Sequence, residues 1–287
     1  MIQRSILIIA SIFILQSCSL DKFVIRQTGT ILDYGVLALY EESDLILAEQ
    51  ALASNIKLLE GMVKGDPENK HLLLLTTQAL SGYAMGFVED ESPQRARLFY
   101  LRARDYGLRV LRENTNFKES EDKSLEDFTK AVNLLKKENL AGLFWTAFAW
   151  AGWINLSLDD PLAYVELPKV EVMMQRVLDL DESYFFASAH LFFGSVWGTK
   201  PKMLGGNPDK AKAHFERSIK ITGGKFLLAY IYYIKYYALK TFNEELFDQL
   251  LAHIKETPGN VLPEFQLLNS IAKEKAARLE QNRAEWF

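Results

Sequence analysis

Cysteine is almost missing from this chain: Cys18 is the one example in 287 residues, so no disulfide can form within it. Histidine is nearly as scarce. His71, His190, His214 and His253 are scattered, and no two form a His-x-x-x-His or His-Glu-x-x-His pair, so the commonest zinc signatures are unfilled. His190 and His214 fall in one helix pair, where the simpler reading is one packed ring and one partly solvated ring. Basic runs are missing too. With 33 Lys+Arg against 37 Asp+Glu and a formal net charge of -4, the chain lacks the electrostatic footprint of a nucleic-acid binder. Strand-like alternation is rare, which leaves helical periodicity as the main signal. Leu204-Gly205-Gly206 lacks the Gly-Lys-Ser/Thr and the preceding strand of a phosphate loop, and reads as a turn. Asp159 and Asp160 stand before Pro161 and read as a helix cap rather than an acid–base or cation pair. No residue pattern supports an enzyme, a metal site or a cofactor.

What is present is apolar and aromatic. A hydrophobic fraction of 49% is enough for a sizeable core. Residues 1–17 read as an export signal, with Arg4 as a short basic start and an apolar run from Ile6 to Leu15. That run is about half as long as a bilayer-spanning helix needs to be. Leu15-Gln16-Ser17-Cys18 is similar to a bacterial lipobox, in which the cysteine becomes the acylated first residue. In lipobox rules Ser19, in place of an aspartate, points to the outer rather than the inner membrane. Residues 18–43 are expected to be a lipidated tether, patternless from Ser19 to Thr30, followed by a short apolar segment. Residues 44–287 are expected to form one helical domain.

Within that domain, His190, Phe193, Gly194 and Trp197 share one helical face, and the glycine leaves room for a neighbouring helix. Asn207-Pro208 then gives an N-cap and a first-turn proline to a second helix carrying Ala211, Phe215 and Ser218. Ala96, Tyr100 and Ala103 repeat the same small, aromatic, small spacing. This order resembles tetratricopeptide helix pairs. Leu45, Ala48, Leu52, Ile56, Leu59 and Val63 mark a helix stopped by Gly65-Asp66-Pro67. His71 to Val88 reads as one helix with Gly82 and Gly86 on a close-packing face, and Asn114 to Lys123 reads as a loop. Arg95, Arg97, Arg102, Arg104, Arg109 and Arg112 read as a solvated helix face. Asn139 to Leu158 holds twenty uncharged residues, long enough to cross a membrane, but its interleaved small and aromatic residues favour a helix buried in protein. The last helix, Pro263 to about Arg283, reads as the polar cap of a stacked array. The fold expected is all-α: a tetratricopeptide-like helical-repeat superhelix, an α-solenoid with extra flanking helices.

Five tyrosines crowd one helix: Tyr230, Tyr232, Tyr233, Tyr236 and Tyr237. Too many fall on successive residues to share one buried face. Tyr232, Tyr233, Tyr236 and Tyr237 are therefore candidates for a ligand or partner surface.

Phe144-Trp145, Ala149-Trp150, Trp153-Ile154, Asp159-Asp160-Pro161, Leu204-Gly205-Gly206 and the tyrosine helix together resemble the TatT family, the T component of TRAP transporters. The resemblance runs from about Asp44 to the C-terminus. It implies a periplasmic lipoprotein, lipid-anchored through Cys18, that works beside an extracytoplasmic substrate-binding protein (the P component) and, indirectly, a membrane permease pair. It also implies a homo-oligomer, a trimer in the family, with an apolar channel for small, hydrophobic organic molecules. The alternatives from the residues alone are a stand-alone carrier of apolar small molecules or lipids, and a generic scaffold of the cell envelope.

Overall fold

A computed structural model of the chain describes residues 22–157, 159–201, 203 and 205–287; Cys18 and the signal-like segment lie outside them. Besides a helical segment at residues 22–27, the described residues contain fourteen α-helices and no strand. In chain order these are α1 (Gly29–Glu41), α2 (Leu45–Gly65), α3 (Lys70–Tyr83), α4 (Pro93–Leu111), α5 (Thr115–Ser120), α6 (Leu125–Leu134) and α7 (Leu140–Asn155). They continue as α8 (Pro161–Tyr164), α9 (Leu167–Asp181), α10 (Tyr184–Thr199), α11 (Pro208–Ile221), α12 (Leu228–Tyr233), α13 (Glu244–Glu256) and α14 (Gln266–Gln281).

The chain begins half of these helices with side chains that satisfy their free N–H groups. Asp44, Asn69, Asn114, Ser124, Asp160, Asn207 and Asn243 each accept from a backbone N–H of the first turn. The cap at Asn114 corrects the expected loop. Its carboxamide accepts from Phe117 N at 3.1 Å and starts a short helix that buries Phe117 completely, an apolar anchor in an otherwise polar stretch.

Helices pack pairwise along the chain: α2 on α3, α3 on α4, α4 on α7, α7 on α9, and α10 on α11. The small, aromatic, small spacing works identically in two of these pairs. Tyr100 of α4 lies over Gly152 of α7, and Phe215 of α11 lies over Gly194 of α10; a Cβ on either glycine would come within 2.7 and 2.8 Å of the ring. Both rings are essentially fully buried. The twenty-residue uncharged stretch becomes α7, which has Phe144, Trp145 and Trp150 buried on different sides against α4 and α9. Among the described residues no helix is long and apolar enough to cross a membrane.

The array differs from the expected open stack at both ends. Residues 22–27 are helical, and α1 follows, packing on α14 and on the turn of 3-10 helix at Pro263–Phe265. The segment expected to be patternless therefore belongs in part to the helical body. The last helix, α14, is not a polar cap. It buries Leu267, Leu268, Ile271, Ala272, Lys275 and Ala276 against α1, α2, α12 and α13, keeping its other charged residues toward the outer side. Because the last helix packs on the first two, the superhelix curls closed around an interior space.

Two helices end differently from expectation. The helix begun at Lys70 gives way at Ala84–Val88 to a π turn, and α12 gives way at Ile234–Ala238 to another. Each closes with an i to i+5 bond, Glu89 N to Ala84 O at 2.9 Å and Leu239 N to Ile234 O at 3.0 Å. Gly82 meets no neighbour and borders the interior space, whereas Gly86 lies against Ile271; the two do not share one packed face. His190 and His214 do meet, Nδ1 to Nδ1 at 2.9 Å, because α10 and α11 bring them together behind Phe193. Burial lowers both imidazole pKa values, that of His214 to about 4, so the contact is between neutral rings at neutral pH. The arginine face of α4 is paired: Arg102 reaches Glu60, Arg112 holds Glu121, and Arg109 donates to Pro67 O.

Candidate functional site: an apolar cavity with a polar cluster

The interior space is a cavity of about 500 Å³, within the ~300–1,000 Å³ typical of small-molecule sites. It is lined by Leu32, Val36 and Leu39 of α1 and by Leu52 and Leu59 of α2. Met85, Phe148, Phe185, Leu191, Phe226 and Ile271 add to the wall. Leu167 and Met174 of α9 and Phe192 and Val196 of α10 complete it. Because the lining is drawn from early, middle and late helices of the chain, the cavity runs through the helical array.

Its wall contains strained backbone. Phe185, Phe186 and Ala187 sit in the left-handed region, with φ of 42°, 60° and 55°. For residues other than glycine this costs roughly 1–2 kcal/mol apiece, and aromatic packing holds it in place. Phe186 stacks on Phe226 with centroids 4.5 Å apart, and Phe185 lies edge-on to Trp145 at 4.6 Å.

Polar groups enter this apolar wall together. Glu89, which follows the first π turn, accepts from Tyr100 Oη at 2.8 Å and from Lys275 Nζ at 3.1 Å. Lys275 also reaches Asp90, and Asp90 accepts from Lys235 of the second π turn at 3.4 Å. The two π turns are thus tied to each other and to α14 by two carboxylates and two ammonium groups. Burial alone would raise the Asp90 pKa, but Lys275 and Lys235 together pull it below the ordinary carboxylate value. Tyr236 accepts from Asn155 Nδ2 at 3.2 Å, and its ring lies 5.6 Å from that of Tyr232. Burial pushes the Tyr100 and Tyr232 hydroxyls well above the usual phenol range, with Glu89 adding to both, so all stay protonated donors.

The four tyrosines singled out in the sequence separate here. Tyr232 and Tyr236 line the cavity and keep accessible surface that faces it. Tyr233 is buried in the core, stacked on Phe215 at 5.1 Å, and Tyr237 packs half-buried against Tyr233. The periodicity of α12 does not sort them, because the π turn at Ile234 resets which side the later residues face. Glu89, Tyr100, Asn155 and Lys275 went unmarked in the sequence. Glu89-Asp90-Glu91 reads as a solvated acidic run, and Lys275 lies 185 residues from Asp90. Tyr100 was visible only as the aromatic of a helix pair. Among the described residues no group of three or more His, Cys, Asp or Glu could hold a metal ion.

α1 also carries exposed apolar side chains. Tyr34 is 68% exposed and Leu37 is exposed too; Ile31, 69% exposed, and the exposed Leu58 of α2 also line the cavity, and Phe23, Val24, Ile46 and Leu47 are further exposed apolar residues of the first helices.

Residues 41–287 match the family model described as TAtT, TRAP transporter T-component. Among curated proteins none matches the chain at a significant level.

Proposed function

Since the chain belongs to the TRAP transporter T-component family, we propose that this accessory transport component works by binding: it docks the extracytoplasmic substrate-binding protein and gives an apolar small molecule a sheltered path. The cavity that crosses the helical array is the observation that carries this reading. An interior lined by leucine, phenylalanine and methionine favours apolar matter over water. The exposed apolar side chains of α1 and its neighbours are the surface offered to the partner, since patches of this kind mark sites of association. It is equally available to further copies of the chain in a homo-oligomer, as the family's trimer would require. Because α1 both lines the cavity and presents that surface, a partner docked there would act directly on the path.

Calorimetry of the lipid-free protein against the TRAP substrate-binding protein of the same source tests the docking. Association in the micromolar range or tighter is expected; no heat at high micromolar concentration, with and without ligand, removes docking and leaves the cavity as a stand-alone carrier.

Anchoring through Cys18 belongs to the same proposal. Two or more acyl chains hold a protein stably at a membrane where one gives only marginal binding, and residue 22, four positions later, is already helical. The anchor would therefore hold α1 and its exposed apolar side chains near a bilayer surface, periplasmic and on the outer membrane by the lipobox rules. Cys18→Ala is expected to release the protein from the membrane fraction or to stop its processing. Unchanged fractionation and unchanged mass would remove the anchor.

A further inference from the structure

One group of the cavity's polar side chains is held together by hydrogen bonds and ion pairs, while others, among them Asn55, Gln78, Ser195 and Thr199, are spread along the wall. Glu89, Tyr100, Tyr232 and Tyr236 come from the ends of two π turns and from α4, and Asn155 closes the group at an exposed rim. Structural reasons account for most of these polar atoms. Tyr100 serves Glu89, Asn155 serves Tyr236, and Lys275 holds Glu89 to α14. Within this group the Tyr232 hydroxyl is different: Tyr232 lines the cavity and its hydroxyl makes no hydrogen bond among the described residues. A phenol in an apolar chamber without a partner loses the hydrogen bonds that water would have given it, unless something in the chamber supplies them. Glu89 also has acceptor capacity left, since each of its oxygens receives one donor and can take two.

The charges decide what kind of group fits. Among the described residues two charged groups border the cavity, and both are already paired: Glu89 with Lys275, and Lys200 with Glu171 at 2.6 Å. Asp90, next to Glu89 in the chain, pairs with both Lys235 and Lys275. The cluster as a whole is electrically balanced. A ligand carboxylate would meet Glu89 with no cation left to neutralise it, and a ligand ammonium would compete with Lys275 for a carboxylate that is already satisfied electrostatically.

We infer that the Tyr232–Glu89 cluster is a headgroup site that selects neutral amphiphiles, molecules with an apolar body and an uncharged hydroxyl or amide end. The head accepts from the Tyr232 hydroxyl and donates to the Glu89 carboxylate, while the body lies along the phenylalanine and leucine walls toward α1. This rests on the cavity-binding part of the proposed function and adds the ligand's chemistry to it.

The test is displacement of a neutral apolar dye, N-phenylnaphthylamine, from the intact lipid-free protein by decanol, decanoate, decylamine and decane. Decanol is expected to displace the dye at a concentration about tenfold or more below decanoate or decylamine at neutral pH, the scale of leaving one charge uncompensated. Tyr232→Phe is expected to weaken decanol about fivefold, the worth of one net neutral hydrogen bond, and to leave decane unchanged. Decanoate or decylamine binding as tightly as decanol, or an unaltered decanol affinity in Tyr232→Phe, overturns the headgroup site while leaving the cavity as an apolar path. Failure of the dye and of every probe to bind overturns the cavity reading itself, and the headgroup site with it.

Discussion

Replacing Lys275 with methionine is expected to cost about 2 to 3 kcal/mol of folding stability at neutral pH, although methionine fits the side chain's volume and its apolar surroundings. Lys275 is 6% exposed, yet its ammonium touches both Glu89 and Asp90. Removing one partner of a buried pair leaves the other desolvated and uncompensated, typically costing about 3–5 kcal/mol. The figure here is lower because Tyr100 still serves Glu89, Lys235 still serves Asp90, and the Asp90 side chain keeps 29% of its surface. The pH dependence distinguishes this from a packing defect. In the wild type the Asp90 pKa is depressed, so its contribution is present above the unfolded value of ~3.9 and is lost as pH falls through the folded value. Without Lys275, the main source of that depression is gone. The stability curves of the two proteins should therefore draw together as Asp90 is protonated, below about pH 4. Urea titrations across that range measure it. A difference that stays constant with pH would mean that Lys275 acts through its methylene packing and not through its charge.

That ion cluster also shows where reading the sequence stops. The helix pairs were legible because their logic is local: caps at Asp44, Asn207 and Asn243, stops at Gly65-Asp66-Pro67, and an aromatic ring matched to a glycine at helical spacing. The burial of α7 was legible because aromatics on every side of a helix need protein on every side. The π turns were not. An extra residue in a helical turn is selected by what the turn must reach, here Lys235 reaching Asp90, and no local propensity encodes it. Ring closure was missed for a related reason. The polar side of α14 resembles a terminal cap, and only its contacts with α1 and α2 reveal that its apolar side closes the array. The tyrosine helix falls between these cases. Its composition marked it as a surface with work to do, but which rings face the cavity depends on the π turn.

Gly198→Ala is expected to lower stability by about 3 kcal/mol or more, at the upper end of what overpacking costs. Gly198 lies in the last turn of α10, where a Cβ would overlap the backbone carbonyl oxygen of Tyr236 in the second π turn. A clash with a flexible side chain can be relieved by a rotamer change. This one is with main chain, and the main chain in question is held by Asn243 N bonding to Ala238 O and by the Lys235–Asp90 pair. Helix propensity alone predicts the opposite sign, since alanine is favoured over glycine by about 1 kcal/mol in a helix interior. Gly61→Ala supplies the comparison: Gly61 is exposed in the middle of α2 with nothing within 4 Å of its Cβ position, and its replacement should stabilise by up to that amount. The two substitutions are chemically identical and should move the urea midpoint in opposite directions. Because the displaced carbonyl belongs to Tyr236, Gly198→Ala should also move Tyr236 relative to Tyr232 and Asn155. Binding of N-phenylnaphthylamine to the fraction that remains folded should then fall, with the Gly61 variant unchanged. A Gly198→Ala protein as stable as the wild type would show that α10 and the π turn do not make the close approach that holds Tyr236 at the cavity wall.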